Sequence, residues 1–227
     1  MKQETYQLIE SYMNDCMKDS AHDKEHVYRV LYNALNIADT EENVDYDILI
    51  TACLLHDIGR EEQFGDPRLN HAEIGAEKAY QFLIKHDFSE EMADKVRMCI
   101  RSHIFRGNDK PQSIEAKILF DADKMDASGA VGIARTLIYK GQVGEPLYSL
   151  QPDGMVSDGI NDEEPSFFQE YKYKLENLYD YFYTRKGAQM AKERRQAAVT
   201  FYNDILREVK EAYTDGKDKL RLQIEAE

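Results

Sequence analysis

The sequence predicts an all-α protein, and three observations carry that prediction. Apolar residues recur at three- and four-residue intervals through nearly every segment, where strands would alternate. Residues that cap helices, such as Asn70 and Ser89, stand directly before such runs. Glycine and proline gather most densely in one break, residues 141–165.

Leu8, Tyr12 and Cys16 mark one face of a first helix, and the chain enters this amphipathic stretch without a secretory signal. Val27, Val30, Leu31, Ala34 and Ile37 mark a second helix, which carries His26. A third is predicted from about Asp45 to Ile58, with Gly59 as a left-handed stop. Asn70 and Glu73 read as a cap and its reciprocal acid, opening a fourth helix with His71 in its first turn. Ser89, with Glu90 and Glu91, opens a fifth, in which Met92, Val96 and Ile100 share a side before His103. Pro111 precedes a sixth, through Ile114, Ile118, Ala122 and Met125. The small residues from Ser128 to Gly132 permit close helix approach. Residues 141–165 are expected to be either a partly ordered cover over a site or a disordered insertion. An aromatic helix follows (Phe167, Phe168, Tyr171, Leu175, Leu178, Phe182), then a long one from about Ala188 to Tyr213 with a frayed, charged end.

At 227 residues the chain fits one domain with a peripheral extension: a core at about 20–140, the loop at 141–165 and C-terminal helices at about 166–214. A net charge of −14 and a pI near 4.9 argue against a protein that binds duplex nucleic acid or a membrane surface. A nucleotide-sized anion stays open, because a metal and a few local cations can hold it. Cys16, Cys53 and Cys99 are odd in number and lie in apolar patterns, so they read as buried thiols of a cytoplasmic protein. No apolar run approaches the ~20 residues that span a bilayer.

The chemistry concentrates at His56-Asp57, which ends the apolar run Ile50 to Leu55. A histidine or aspartate closing a helix is ordinarily a cap or a solvated end. This pair has distant company in His26, with Arg29 three residues on, and in the acidic segment Asp121-Ala122-Asp123-Lys124-Met125-Asp126. A helical His, then His-Asp, then Asp beside a basic residue resembles the pattern of the HD-domain metal-dependent phosphohydrolases over residues 20 to 140.

That resemblance implies a helical bundle in which His26, His56, Asp57 and Asp123 hold a divalent ion. Two imidazoles with two carboxylates suit Mn, Fe, Co, Ni or Zn better than Ca²⁺ or Mg²⁺. Asp123 matches the family's Ala-Asp-basic setting, Asp121 is the fallback, and Asp126 is expected to orient a neighbour. His71 and His103 lie between the dyad and the last Asp, where two-metal members add ligands. They are expected to hold a second ion, with Asp57 bridging, or to bind a substrate phosphate; the plainer alternative is a capping His71 and a helix-end His103. His22 and His86 read as solvated.

Arg29, Arg60, Lys124 and Arg106 are candidates to meet phosphate oxygens, whereas Arg101 reads as a surface ion pair. Glu61 and Asp66 are the candidate proton carriers, with Glu62 beside them, and a solvated charge run is the plainer reading of all three. Two substrate classes fit poorly. Arg60-Glu61 stands where guanosine tetraphosphate hydrolases carry Glu-Asp, and Ile104-Phe105-Arg106 follows His103 where cyclic dinucleotide phosphodiesterases carry Gly-Tyr-Pro. The expected activity is hydrolysis of a phosphoester or phosphoanhydride bond of a small metabolite, a nucleotide first. The alternative is a non-catalytic nucleotide sensor or interaction module that keeps the pocket. Phosphate loops, a Gly-x-Ser-x-Gly elbow and a Cys-x-x-Cys pair are absent from the sequence.

Overall fold

A computed structural model describes residues 1–17, 24–104 and 109–224, and it is helical, with a single isolated antiparallel bridge, Leu150 to Val156, among the described residues. Among those residues no helix is long and apolar enough to cross a membrane. The chain comprises two compact units: Met1–Asp126 with Phe182–Ala188, and Ala127–Tyr181 with Gln189–Glu227.

The first unit contains α1 (Gln3–Cys16), α2 (Lys24–Ala38), α3 (Tyr46–Leu55), α4 (Arg60–Gly65), α5 (His71–Lys85), α6 (Glu90–Arg101) and α7 (Ile114–Asp126). Its hub is α3. Ile48, Leu49, Thr51, Ala52, Cys53, Leu54 and Leu55 are all buried, because a helix apolar on every side must be covered on every side. It packs against α1, α2, α5, α6 and α7. Asp45 starts it by accepting from the Asp47 and Ile48 amides.

Several local expectations shift. The buried face of α1 is Ile9 and Met13, one residue from the set read off the sequence, and Leu8 is exposed. Both sets have four-residue spacing, so only the packing chooses between them. The third helix stops at Leu55, not at Ile58, and a turn leads into the short α4. Gly59 is not left-handed either, since its φ is −97°. Its need for glycine is steric: a Cβ there would lie 2.3 Å from the His71 carbonyl oxygen and 2.7 Å from the Gly75 nitrogen of α5.

The second unit begins with α8 (Gly129–Gln142). Close helix approach does require a small residue at Gly129, where a Cβ would lie 2.8 Å from Arg194 Cβ of the last helix, while one on Gly132 would meet the Ala127 carbonyl of its own lead-in at 2.0 Å. Residues 141–165 are not a disordered insertion. Asp162 accepts from Ser149 Oγ and Ser157 Oγ, both at 2.6 Å, across the Leu150–Val156 bridge, and the Phe167 amide donates to the Pro146 carbonyl at 3.0 Å. The single aromatic helix expected from Phe167 instead breaks into α9 (Phe167–Glu170), a π turn (Tyr171–Leu175) and a 3-10 turn (Leu178–Asp180). Aromatic packing outweighs helical regularity there, with Tyr171 stacked on Tyr202 at 4.0 Å and Phe168 edge-on to Tyr202 at 5.5 Å. The last helix, α10 (Arg185–Ile224), runs past the expected fray at Tyr213. Good helix formers from Lys219 to Gln223 follow the weak stretch Thr214-Asp215-Gly216, and Lys217 donates to the Gly154 carbonyl.

Candidate metal centre

All the histidines and aspartates singled out for the centre lie in the first unit, and they come from several separate places in it. The C-terminal end of α3 releases His56 and Asp57 into the turn that Gly59 lets approach α5. From α5, Lys78 Nζ ties that turn down by donating to the Ile58 carbonyl at 2.8 Å and to Glu62 Oε1 at 2.7 Å. His26 comes from α2, His71 from the first turn of α5, where Asn70 caps the Ala72 amide, and Asp123 from α7. His103 follows the end of α6.

Around His26 Nε2 stand His56 Nε2 at 3.3 Å, Asp123 Oδ1 at 3.3 Å and Asp57 Oδ2 at 3.4 Å. The other oxygen of Asp57 faces elsewhere. Its Oδ1 is 3.6 Å from His71 Nε2 and 3.6 Å from His103 Nε2. The structure thus forms two groups that could each hold a metal ion, His26, His56 and Asp123 in one and Asp57, His71 and His103 in the other. The two oxygens of Asp57 point one to each group.

The ring orientations suit cation binding. His26 Nδ1 lies 2.7 Å from Asp126 Oδ2, His56 Nδ1 2.8 Å from the Cys53 carbonyl and His103 Nδ1 2.5 Å from the Ile100 carbonyl. These acceptors hold a proton on each Nδ1 and aim each Nε2 inward, where it offers a lone pair whenever its ring is neutral. Among the described residues, Asp57 Oδ2, His103 Nε2 and both ring nitrogens of His71 are buried without a hydrogen-bond partner. Such atoms cost about 1–3 kcal/mol each when unmatched, and a divalent ion in this N/O donor set satisfies several at once.

Electrostatics separate the histidines. Burial pulls His26 down, yet its bonds to Asp123, Asp126 and Asp57 outweigh that and raise it to about 10. Burial dominates at His56, which falls to about 4, and at His71, which falls to about 3 with help from the Arg60 charge. Burial acts upward on Asp57, but Arg60 and then His56 hold its carboxyl well below the ordinary range. At Asp123 the hydrogen bond and charge of His26 likewise prevail over burial. Both carboxylates are therefore ionised and both low-pKa imidazoles neutral, the forms that ligate.

The remaining predicted residues are placed as follows. Arg29 turns to Asp126, with Nε 2.7 Å from Oδ1 and Nη2 3.1 Å from Oδ2, so Asp126 orients both His26 and Arg29. Arg60 Nε donates to Asp57 Oδ1 at 2.9 Å. Lys124 Nζ lies over the Phe120 ring at 4.5 Å. Glu61 is exposed, and Asp66 is bound by Arg68 through two donors at 2.9 and 2.7 Å. Arg101 pairs with Asp109 at 2.5 Å, and His86 is exposed. Arg106 and His22 lie outside the described residues. Cys53 and Cys99 are buried, and burial pushes the Cys99 thiol up to about 12, whereas Cys16 is only half-buried. Lys78 went unnoticed in the sequence, and a lone lysine on a helix carries no signal that could have revealed it.

Asp121, the fallback ligand, is occupied elsewhere. Fully buried, it accepts from the Tyr183 amide at 2.8 Å and from the Thr184 amide and hydroxyl, both at 2.7 Å, at the start of α10. Asp121→Ala is expected to lose about 1–3 kcal/mol of stability through stranded donors, with bound metal unchanged. Denaturant melts beside elemental analysis check this, and a loss of metal would return Asp121 to the ligand set.

Comparison with known proteins agrees with this geometry. The HD domain profile matches residues 24–128. YpgQ of Bacillus subtilis is 31% identical over 205 residues, covering 88% of this chain and 90% of the relative. Its crystal structure in complex with ADP superposes with a TM-score of 0.71 at 28% identity, covering 91% of this chain and 95% of that one. The crystal structure of a HD-superfamily hydrolase from Bacillus thuringiensis gives a TM-score of 0.69 at 26% identity over 92% of this chain and 98% of that one. With the ordered ligands gathered on a helical core and a relative this similar along nearly its whole length, the chain belongs to the HD-domain family.

Proposed function

We propose that this protein is a divalent-metal-dependent phosphohydrolase that cleaves a phosphoester or phosphoanhydride bond of a small phosphorylated metabolite, with a nucleotide as the favoured substrate. The observation that carries the reading is Asp57, buried, with one oxygen toward His26 and His56 and the other toward His71 and His103. Two groups of this kind could hold a pair of divalent ions, which when bound would supply an activated water and a clamp on phosphoryl oxygens. The chain's own part is to fix the donors. Asp126, the Cys53 carbonyl and the Ile100 carbonyl orient the imidazoles, while Lys78 holds the dyad turn. Arg60 and Lys124, beside ligand positions, are assigned to the charge on substrate oxygens. Arg29 contributes through Asp126 instead. Of the two proposed proton carriers, Asp66 is committed to Arg68, so Glu61 at the start of α4 keeps the role.

A nucleotide is favoured because the similar YpgQ was crystallised with ADP. The deciding experiment screens nucleoside mono-, di- and triphosphates and cyclic nucleotides with Mn²⁺, Co²⁺, Fe²⁺, Ni²⁺ and Mg²⁺. Turnover of at least one is expected. Tight nucleotide binding without product, with metal shown to be bound, would replace this reading by the sensor.

The metal number has its own test. His71→Ala and His103→Ala are each expected to lose one of two ions and to lower kcat, leaving the His26 group occupied. Full metal content with a raised KM would instead make them phosphate ligands at a single-ion site, because that pattern signals lost ground-state binding.

A further inference from the structure

Arg60 occupies the same carboxylate oxygen that the second ligand group needs. Its Nε lies 2.9 Å from Asp57 Oδ1, and that oxygen is 3.6 Å from both His71 Nε2 and His103 Nε2. Among the described residues, Asp57 Oδ2 has no hydrogen-bond partner, Arg29 is turned to Asp126, and Lys124 lies over the Phe120 ring. A guanidinium is never deprotonated in this range, so it stays cationic at every working pH.

We infer that Arg60 is an internal cation for the second ligand group: it holds Asp57 Oδ1 until a divalent ion displaces it, and so sets how weakly that group binds its ion. The inference rests on the two-ion reading above. Two cations sharing one oxygen repel, and the second ion must overcome the charge-assisted bond that the guanidinium already makes. Displacement is sterically open. The Arg60 side chain is 25% exposed, and beyond Asp57 it is held, among the described residues, by a long bond of 3.4 Å to Gln63 Oε1. Once displaced, its donors stand at the edge of the centre, free to meet an anionic oxygen. Filling of the second group and presentation of a phosphate-binding arginine then become one event.

The direction of the effect separates this role from simple support. If Arg60 merely held Asp57 in its rotamer, removing it would weaken metal binding. As a resident competitor, its removal must strengthen binding at the second group and leave the first nearly unchanged. Calorimetric titration of the metal-free full chain with Mn²⁺, without substrate, reads both sites. Arg60→Ala is expected to tighten the weaker Mn²⁺ site about tenfold or more, the scale of a lost charged hydrogen bond. Arg60→Gln, which can place a donor where the arginine Nε stands but carries no charge, should shift the same way and guards against a folding defect. A second-site affinity that is unchanged or weaker in both variants overturns the competitor role while the two-ion reading stands. A single Mn²⁺ bound by wild type and variants alike overturns both.

Discussion

Asp57→Ala is expected to abolish turnover and strip the centre of metal while leaving helix content intact. The expectation follows from the two oxygens, each within 3.4–3.7 Å of a histidine pair, so one substitution removes a donor from both ligand groups. Loss of a mere outer partner commonly costs ~10–100-fold in metal affinity or activity, so loss of the shared carboxylate is expected to cost more than ~100-fold in turnover. Folding should survive, because the helices around α3 are held by its apolar faces and Arg60, a quarter exposed, can turn to water. Asp57→Asn refines the test, since it keeps the shape and removes the charge. Circular dichroism, elemental analysis and turnover measured on one preparation decide the matter. Retention of both ions and of activity would remove Asp57 from the centre.

The next largest effect is expected at a residue that touches no ion. Asp126 is buried and receives His26 Nδ1 on one oxygen and Arg29 on both. Asp126→Ala frees the His26 ring to change tautomer and rotate, and metal affinity is expected to fall ~10–100-fold. Stability should fall as well, by about 1–3 kcal/mol for the stranded ring donor, since Arg29 can rehydrate more easily than the buried imidazole. Asp126→Asn keeps an acceptor for the ring and should recover much of the metal affinity but not the Arg29 pair. Chelator competition and thermal melts measure the two effects separately. Equal metal affinity in wild type and Asp126→Ala would show that packing alone orients His26.

Much of the framework was legible because its signals are local. The face of α2 at Val27, Val30, Leu31, Ala34 and Ile37 is buried as its spacing predicts, and Ser89 caps α6 through the Met92 amide. The aromatic stretch after Phe167 misled, because helical spacing cannot register the pull of Tyr202 on Tyr171 from another element. Gly59 misled in a different way. Local rules read a glycine after a helix as a conformational stop, whereas the reason here is the α5 backbone, which arrives from a dozen residues further on.

By itself, the sequence determined the helical class and the order His26, His56-Asp57, Asp123, since periodicity and donor chemistry are properties of residues and their near neighbours. It also places Asp121 and Asp123 on opposed sides of their helix, ~200° apart at 3.6 residues per turn, with Asp126 only ~60° from Asp123. Which side looks inward was decided only when α7 packed against α2 and α3. That packing turns Asp123 and Asp126 toward His26 and gives Asp121 to the start of α10. The division of Asp57 between two histidine pairs, and the hold of Arg60 on one of its oxygens, belong to the tertiary structure for the same reason. Both depend on side-chain directions set by helices that meet across long stretches of chain, and residue spacing carries no record of those directions.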